Sequence, residues 1–139
     1  MTDGRGLLDT STVINLPKIT DPSTLPDQPL ISAITLAELS VGPLVAATDR
    51  ERAARQSVLQ QAESDFEPLP FDAAAARAFG RVAAALRRAG RKPQARAYDA
   101  MIAAVALAND LPVYTCNPAD FARIAGLRVV AVDVPGGGG

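Results

Sequence analysis

Histidine is absent from the 139 residues, and that absence removes more chemistry than any other feature of the composition. Ser-His-Asp and Cys-His nucleophilic catalysis, histidine general-base cleavage of RNA and histidine-containing zinc sites are all excluded. A single cysteine, Cys116, excludes an internal disulfide and thiolate zinc clusters, and it fits a reducing cytoplasm. No continuous apolar run approaches the roughly 20 residues of a membrane span. The first residues, with Asp3 and Arg5 ahead of a short strand, are not expected to act as a signal peptide. Lysine is scarce, with Lys18 and Lys92 alone, and a formal net charge of -1 creates no global basic field for nucleic acid. What survives is oxygen-ligand chemistry, which suits hard cations such as Mg²⁺ or Mn²⁺.

Against that background, several acids stand in apolar surroundings. Asp9 closes the run from Arg5 to Leu8 just where a helix is expected to begin. Glu38 lies in Thr35-Leu-Ala-Glu-Leu39, Asp99 in Tyr98-Asp-Ala-Met-Ile-Ala-Ala104, and Asp120 in Thr115-Cys-Asn-Pro-Ala-Asp-Phe121. An ionised carboxylate withdrawn from water is costly unless it meets a cation or hydrogen-bond donors. If several converge, repulsion raises their pKa values, and a divalent cation relieves both penalties.

The chain length fits one domain, over residues 1–135, followed by a flexible glycine tail at 136–139. Strands are expected at 6–9, 30–31, 66–71, 112–115 and 127–132. Between them come a short helix capped by Thr10 or Ser11 and ended by Pro17, and a helix from Ser32 to Gly42-Pro43 carrying Glu38. Further helices are expected over 49–62, from Asp72 to a Gly90 cap, and over 97–109. This alternation predicts an α/β fold, a parallel sheet covered by helices on both faces.

In such sheets ligands sit beyond the carboxyl ends of strands, where strand order reverses. Asp9 ends the first strand, and Asn117 and Asp120 follow the 112–115 strand. Asp99 lies in the first turn of its helix, and Glu38 reaches from the helix after the second strand. The expected cluster is therefore Asp9, Glu38, Asp99 and Asp120 around a cation. Each acid taken singly also has a structural reading, as a cap, a turn residue or a helix N-terminal charge. The basic run Arg87, Arg88, Arg91, Lys92 and Arg96 precedes the Asp99 helix and is a candidate grip for RNA phosphates. Its structural alternative is complementing a helix dipole.

Leu8-Asp9-Thr10-Ser11, Leu36-Ala-Glu-Leu39, Asp99-Ala-Met-Ile-Ala-Ala104 and Thr115-Cys-Asn-Pro-Ala-Asp-Phe121, in this order, resemble a PIN domain, more narrowly the VapC-type toxin ribonucleases. The resemblance spans about Gly6 to Val132. It implies a three-layer α/β/α domain with a central parallel sheet of four to five strands and Mg²⁺- or Mn²⁺-dependent endonucleolytic hydrolysis of RNA. It also implies homodimerisation and inhibition by a cognate VapB-type antitoxin. Asp9, Glu38 and Asp99 match the family's acidic positions. Many relatives place aspartate where this chain has Asn117, leaving Asp120 as the available charge three residues on. Thr10, Ser11 and Asn117, with Arg87, Arg88, Arg91 and Arg96, are then candidates for contact with RNA.

Rivals are weaker. A haloacid-dehalogenase phosphatase needs a second aspartate where Ser11 stands, and a receiver domain needs a lysine after a late strand. A PIN-like module that binds RNA or protein without cutting is the alternative of a different class.

Overall fold

The first strand, β1 (Arg5–Leu8), is buried along all but its first residue, and the chain turns straight from it into a short helix, α1 (Thr10–Asn15). The structure, a computed structural model, describes residues 4–91 and 97–135. After two 3₁₀ turns come β2 (Gln28–Leu30), α2 (Ala33–Leu44), α3 (Asp49–Asp65), α4 (Ala73–Arg88) and α5 (Ala97–Ala108). The chain closes with β3 (Val113–Thr115), a 3₁₀ turn at Pro118–Phe121 and β4 (Val129–Ala131). All strand pairings are parallel, in the order β2-β1-β3-β4.

Successive strand residues face opposite sides, and the packing follows that rule. Leu7 and Val113 join a core with Val82 and Leu86 of α4 and Ile102 and Val105 of α5. Leu8 joins a second core with Val13, Leu39 and Ala62 from α1, α2 and α3, with Tyr114 packed against it. Helices therefore cover both faces, as expected for strands apolar on both sides. Among the described residues no helix is long and apolar enough to cross a membrane.

Helix ends follow the local chemistry. Ser32 Oγ accepts from Thr35 N–H at 3.2 Å, and Asp72 Oδ1 accepts from Ala75 N–H at 3.0 Å. Gly90, at φ +79°, closes α4 with Arg91 N–H donating to the Leu86 carbonyl at 2.9 Å.

Four local expectations require correction. Residues 66–71 form no strand. Leu69 makes an isolated parallel bridge to Ser32, because Pro68 and Pro70 on either side lack the N–H a ladder needs. The cap of α1 is Asp9 rather than Thr10 or Ser11. Helix α2 runs through Pro43 to Leu44, a proline near a helix end forfeiting a single backbone bond. The second strand begins two residues early, at Gln28, and stops before Ile31. The 136–139 tail lies outside the described residues.

Candidate functional site

Strand order reverses at β1: the chain leaves it to one side for β2 and returns on the other as β3. The carboxyl ends of β1 and β3 are therefore neighbours, and Asp9 N–H donates to the Tyr114 carbonyl across them at 3.1 Å. Ligand crevices form at such reversals, and the residues that follow these two strands build the site.

Asp9 is 4% exposed. Its Oδ1 accepts from Thr12 N–H at 3.0 Å and from Thr12 Oγ1 at 2.8 Å, which is how it caps α1. Thr115 Oγ1 donates to Oδ2 at 2.6 Å, and Ser11 Oγ lies 2.9 and 3.0 Å from the two oxygens. Thr115 Oγ1 in turn accepts from Asn117 N–H at 2.9 Å, so one buried hydroxyl joins the end of β3 to the end of β1. Every donor on this carboxylate is neutral. Among the described residues no arginine or lysine pairs with it.

Glu38 approaches from α2. Thr10 Oγ1 donates to its Oε1 at 2.6 Å and lies 3.1 Å from Thr35 Oγ1. Burial pushes the Glu38 carboxyl above its ordinary value of 4.5; the Thr10 bond opposes this, and the nearby Asp9 charge adds to it. The sign follows directly. A carboxyl whose pKa is raised in the folded state stabilises the fold fully below 4.5, and that contribution is lost as pH rises through the raised value. Glu38→Gln should therefore flatten the loss of metal-free stability between pH 4.5 and neutrality. Thermal melts of wild type and variant across that range check it; an unchanged slope would refute the assignment.

The acids expected to converge are only partly brought together. Asp9 and Glu38 interact electrostatically and share the Thr10–Thr12 segment. Asp99, in the first turn of α5, and Asp120, in the turn after β3, are partly buried and already engaged. Among the described residues no group of three or more acids is close enough to hold an ion as the side chains stand. The Asp9 carboxylate is turned onto Ser11, Thr12 and Thr115. The donor set still suits a hard divalent cation in kind: oxygen ligands, a buried acid held by neutral donors and a second acid beside it whose pKa burial raises.

A cavity of about 500 Å³ opens beside this pair, between α1, α2 and α3, lined by Thr10, Ile14, Glu38, Leu39, Arg55 and Val58. The basic run does not gather there. Arg87 and Arg88 are exposed at the end of α4, and Arg88 lines a different cavity. Arg91 is partly buried, with a shielded Nη1 that has no hydrogen-bond partner. Arg96 and Lys92 lie outside the described residues. Asn117 is exposed, while its backbone binds Thr115.

Thr12, read from the sequence with Thr10 and Ser11 as a helix-capping residue or a contact for phosphate, instead binds the Asp9 carboxylate, and the role of Thr115 escaped the reading of the sequence. Both are fully buried hydroxyl side chains.

The family model for the PIN domain matches residues 7–127, spanning both cores and every acid above. The chain belongs to the PIN domain family. Among curated members, it is 40% identical over 133 residues to "Ribonuclease VapC5" of Mycobacterium tuberculosis, covering 94% of this chain and 96% of that protein. It is 36% identical over 98 residues to the "tRNA(fMet)-specific endonuclease VapC" of Shigella flexneri, covering 70% of each. Among solved structures, this PIN domain superposes on the crystal structure of VapBC-5, a toxin-antitoxin member from Mycobacterium tuberculosis. The TM-score is 0.81 at 39% identity, over 93% of this chain and 99% of that one. The PIN fold expected from the four motifs is thus the fold found, with four strands.

Proposed function

We propose that this chain is the ribonuclease toxin of a VapBC-type toxin-antitoxin pair, hydrolysing RNA phosphodiester bonds with Mg²⁺, or Mn²⁺ in its place. The observation that carries the reading is the buried Asp9 carboxylate, held by neutral donors beside Glu38, whose carboxyl burial pushes above its ordinary value, at the strand-order reversal. A PIN domain with VapC ribonucleases as relatives supplies the class of reaction.

Asp9 and Glu38, with Asp99 and Asp120 completing the set, are the residues that would hold the cation. When bound, the cation supplies charge stabilisation to a phosphate oxygen and acidifies water. The protein's own contribution is placement. Thr12 and Thr115 lock the Asp9 rotamer, so little orientational freedom is left to lose when phosphate arrives. Thr10 fixes Glu38, whose raised pKa suits it to take a proton from the attacking water. Ser11, Thr10 and Asn117 would serve as hydrogen-bonding contacts for RNA. On this reading an external water rather than the ribose 2′-hydroxyl is the nucleophile, so the products would carry 5′-phosphate and 3′-hydroxyl ends.

The partners on this reading are an RNA substrate, a VapB-type antitoxin encoded beside the chain and a second copy of it, all in the cytoplasm. VapBC complexes among the structural neighbours support the antitoxin.

Growth arrest on induced expression, followed by mapping of transcript ends, tests the proposal. Wild type should arrest growth and leave 5′-phosphorylated fragments, whereas Asp99→Ala should do neither. In vitro, cleavage should appear with Mn²⁺ or Mg²⁺ and disappear with chelator. Undiminished arrest in the variant, or cyclic phosphate ends, would overturn it. RNA binding unchanged by chelator, with no cutting in Mn²⁺, would instead mark a binding module.

A further inference from the structure

Positive charge is segregated in this chain. Between Asp72 and Asp99 the sequence carries Arg77, Arg81, Arg87, Arg88, Arg91, Lys92 and Arg96 and no acid, although the protein as a whole has a net charge of -1. On α4 Arg77, Arg81, Arg87 and Arg88 are exposed, whereas Val82 and Leu86 enter the core. Two of them, Arg81 and Arg88, flank a cavity of about 300 Å³ whose floor is Val82, Ala85, Leu107 and Ile124. Among the described residues no carboxylate and no aromatic ring lines it. Neither arginine enters a hydrogen bond or ion pair among the described residues.

The cavity stands apart from the Asp9 crevice. Leu107 is in the last turn of α5, which leads into the amino end of β3, and Ile124 precedes β4. Asp9 and Asn117 instead follow carboxyl ends of strands. The two sites therefore occupy opposite ends of the sheet, and filling one leaves the other open.

We propose that this cavity is a docking site for an acidic peptide segment of a partner protein, one aliphatic side chain entering the floor and flanking carboxylates meeting Arg81 and Arg88. Charge complementarity selects the occupant's sign. Guanidinium pairs with carboxylate through parallel hydrogen bonds, and arginine anchors are enriched where interfaces carry most of their energy. The floor selects peptide over nucleic acid: phosphate has no use for a pocket of aliphatic carbon, and unpaired bases bind by stacking on rings that are missing here.

The probe is a labelled peptide with one leucine flanked on both sides by glutamates, followed by anisotropy at low salt with the full chain. It should bind, and Arg81→Glu/Arg88→Glu should weaken binding by at least about tenfold. Arg81→Gln/Arg88→Gln should give an intermediate loss. Ala85→Phe, which fills the floor and keeps both guanidiniums, should weaken binding as much as the charge reversal, with melting curves showing that each variant is folded. Amide shifts on titration should cluster at residues 81–88, 107 and 124–126. Equal binding of a glutamate-only peptide, or binding indifferent to Ala85→Phe, would overturn the proposal. So would amide shifts centred on Asp9 and Glu38. A single-stranded oligoadenylate that moves the 81–88 amides while the peptide does not would assign the site to nucleic acid and equally overturn it.

Discussion

Asp9→Asn should reduce RNA cleavage by about a thousandfold or more while leaving the fold nearly intact, the range seen when a group acting on the reacting centre is removed. The contrast between activity and stability is the informative part. Asparagine keeps an acceptor oxygen for Thr12 N–H and Thr12 Oγ1, and asparagine is as good a helix cap as aspartate. Its amide nitrogen faces Thr115 Oγ1, which already accepts from Asn117 N–H and has a second lone pair to offer. The charge needed to hold a cation is gone. Asp9→Ala differs because it leaves the Thr12 N–H and the buried Thr115 hydroxyl without their acceptor, the Thr12 hydroxyl keeping the Tyr114 carbonyl at 3.0 Å, and should cost about 2 kcal/mol. Single-turnover cleavage assays beside urea melts separate the two effects. An asparagine variant that cleaves within tenfold of wild type would remove Asp9 from the reaction.

Gly6→Ala should destabilise the protein by about 3 kcal/mol, the upper end for overfilling a packed site. Gly6 lies in β1 under the Tyr114 ring of the neighbouring strand. A Cβ there would stand 2.6 Å from Tyr114 Cδ1 and 2.9 Å from Pro26 Cβ, both inside contact distance. Neither atom ends a flexible side chain, and Tyr114 packs against the Leu8 core. Relief requires β1 and β3 to part, and those strands set Asp9 beside Thr115. Gly80→Ala is the matched control. Gly80 is an exposed position in α4 with nothing within 4 Å of an added Cβ, so alanine there should stabilise by about 0.5–1 kcal/mol. Equilibrium urea unfolding of both variants checks the pair, and a Gly6→Ala midpoint equal to wild type would show that the ring yields freely.

The fold was largely legible because its signals are local. Apolar β-branched runs, Ser32 and Asp72 at helix starts and Gly90 at a helix end each carry their own structural instruction, and the structure honours them. The 66–71 segment misled because phenylalanine and leucine suggest a strand while two prolines prevent the ladder. At the site, the neighbourhood of β1 and β3 followed from crossover rules, and it correctly placed Asp9 near Asn117. The hydroxyl partners did not follow. Thr12 and Thr115 matter only through a side-chain contact 106 residues apart in sequence for the second, which no local pattern encodes. The four-acid cluster was argued from charge and from the order of strands and helices, whereas the rotamer of Asp9 is decided by hydroxyls of α1 and β3. The basic run was placed by proximity in sequence to Asp99, yet helix geometry turns Arg88 onto another surface.

The same carboxylate that would serve the reaction also begins α1. Cells escaping the protein's action by substitution at Asp9 should accordingly fall into two groups. In one, asparagine, serine or threonine starts the helix and a silent protein accumulates to normal abundance; in the other, a residue unable to do so lets proteolysis thin it out. Immunoblotting of such survivors would sort them without any enzymatic assay.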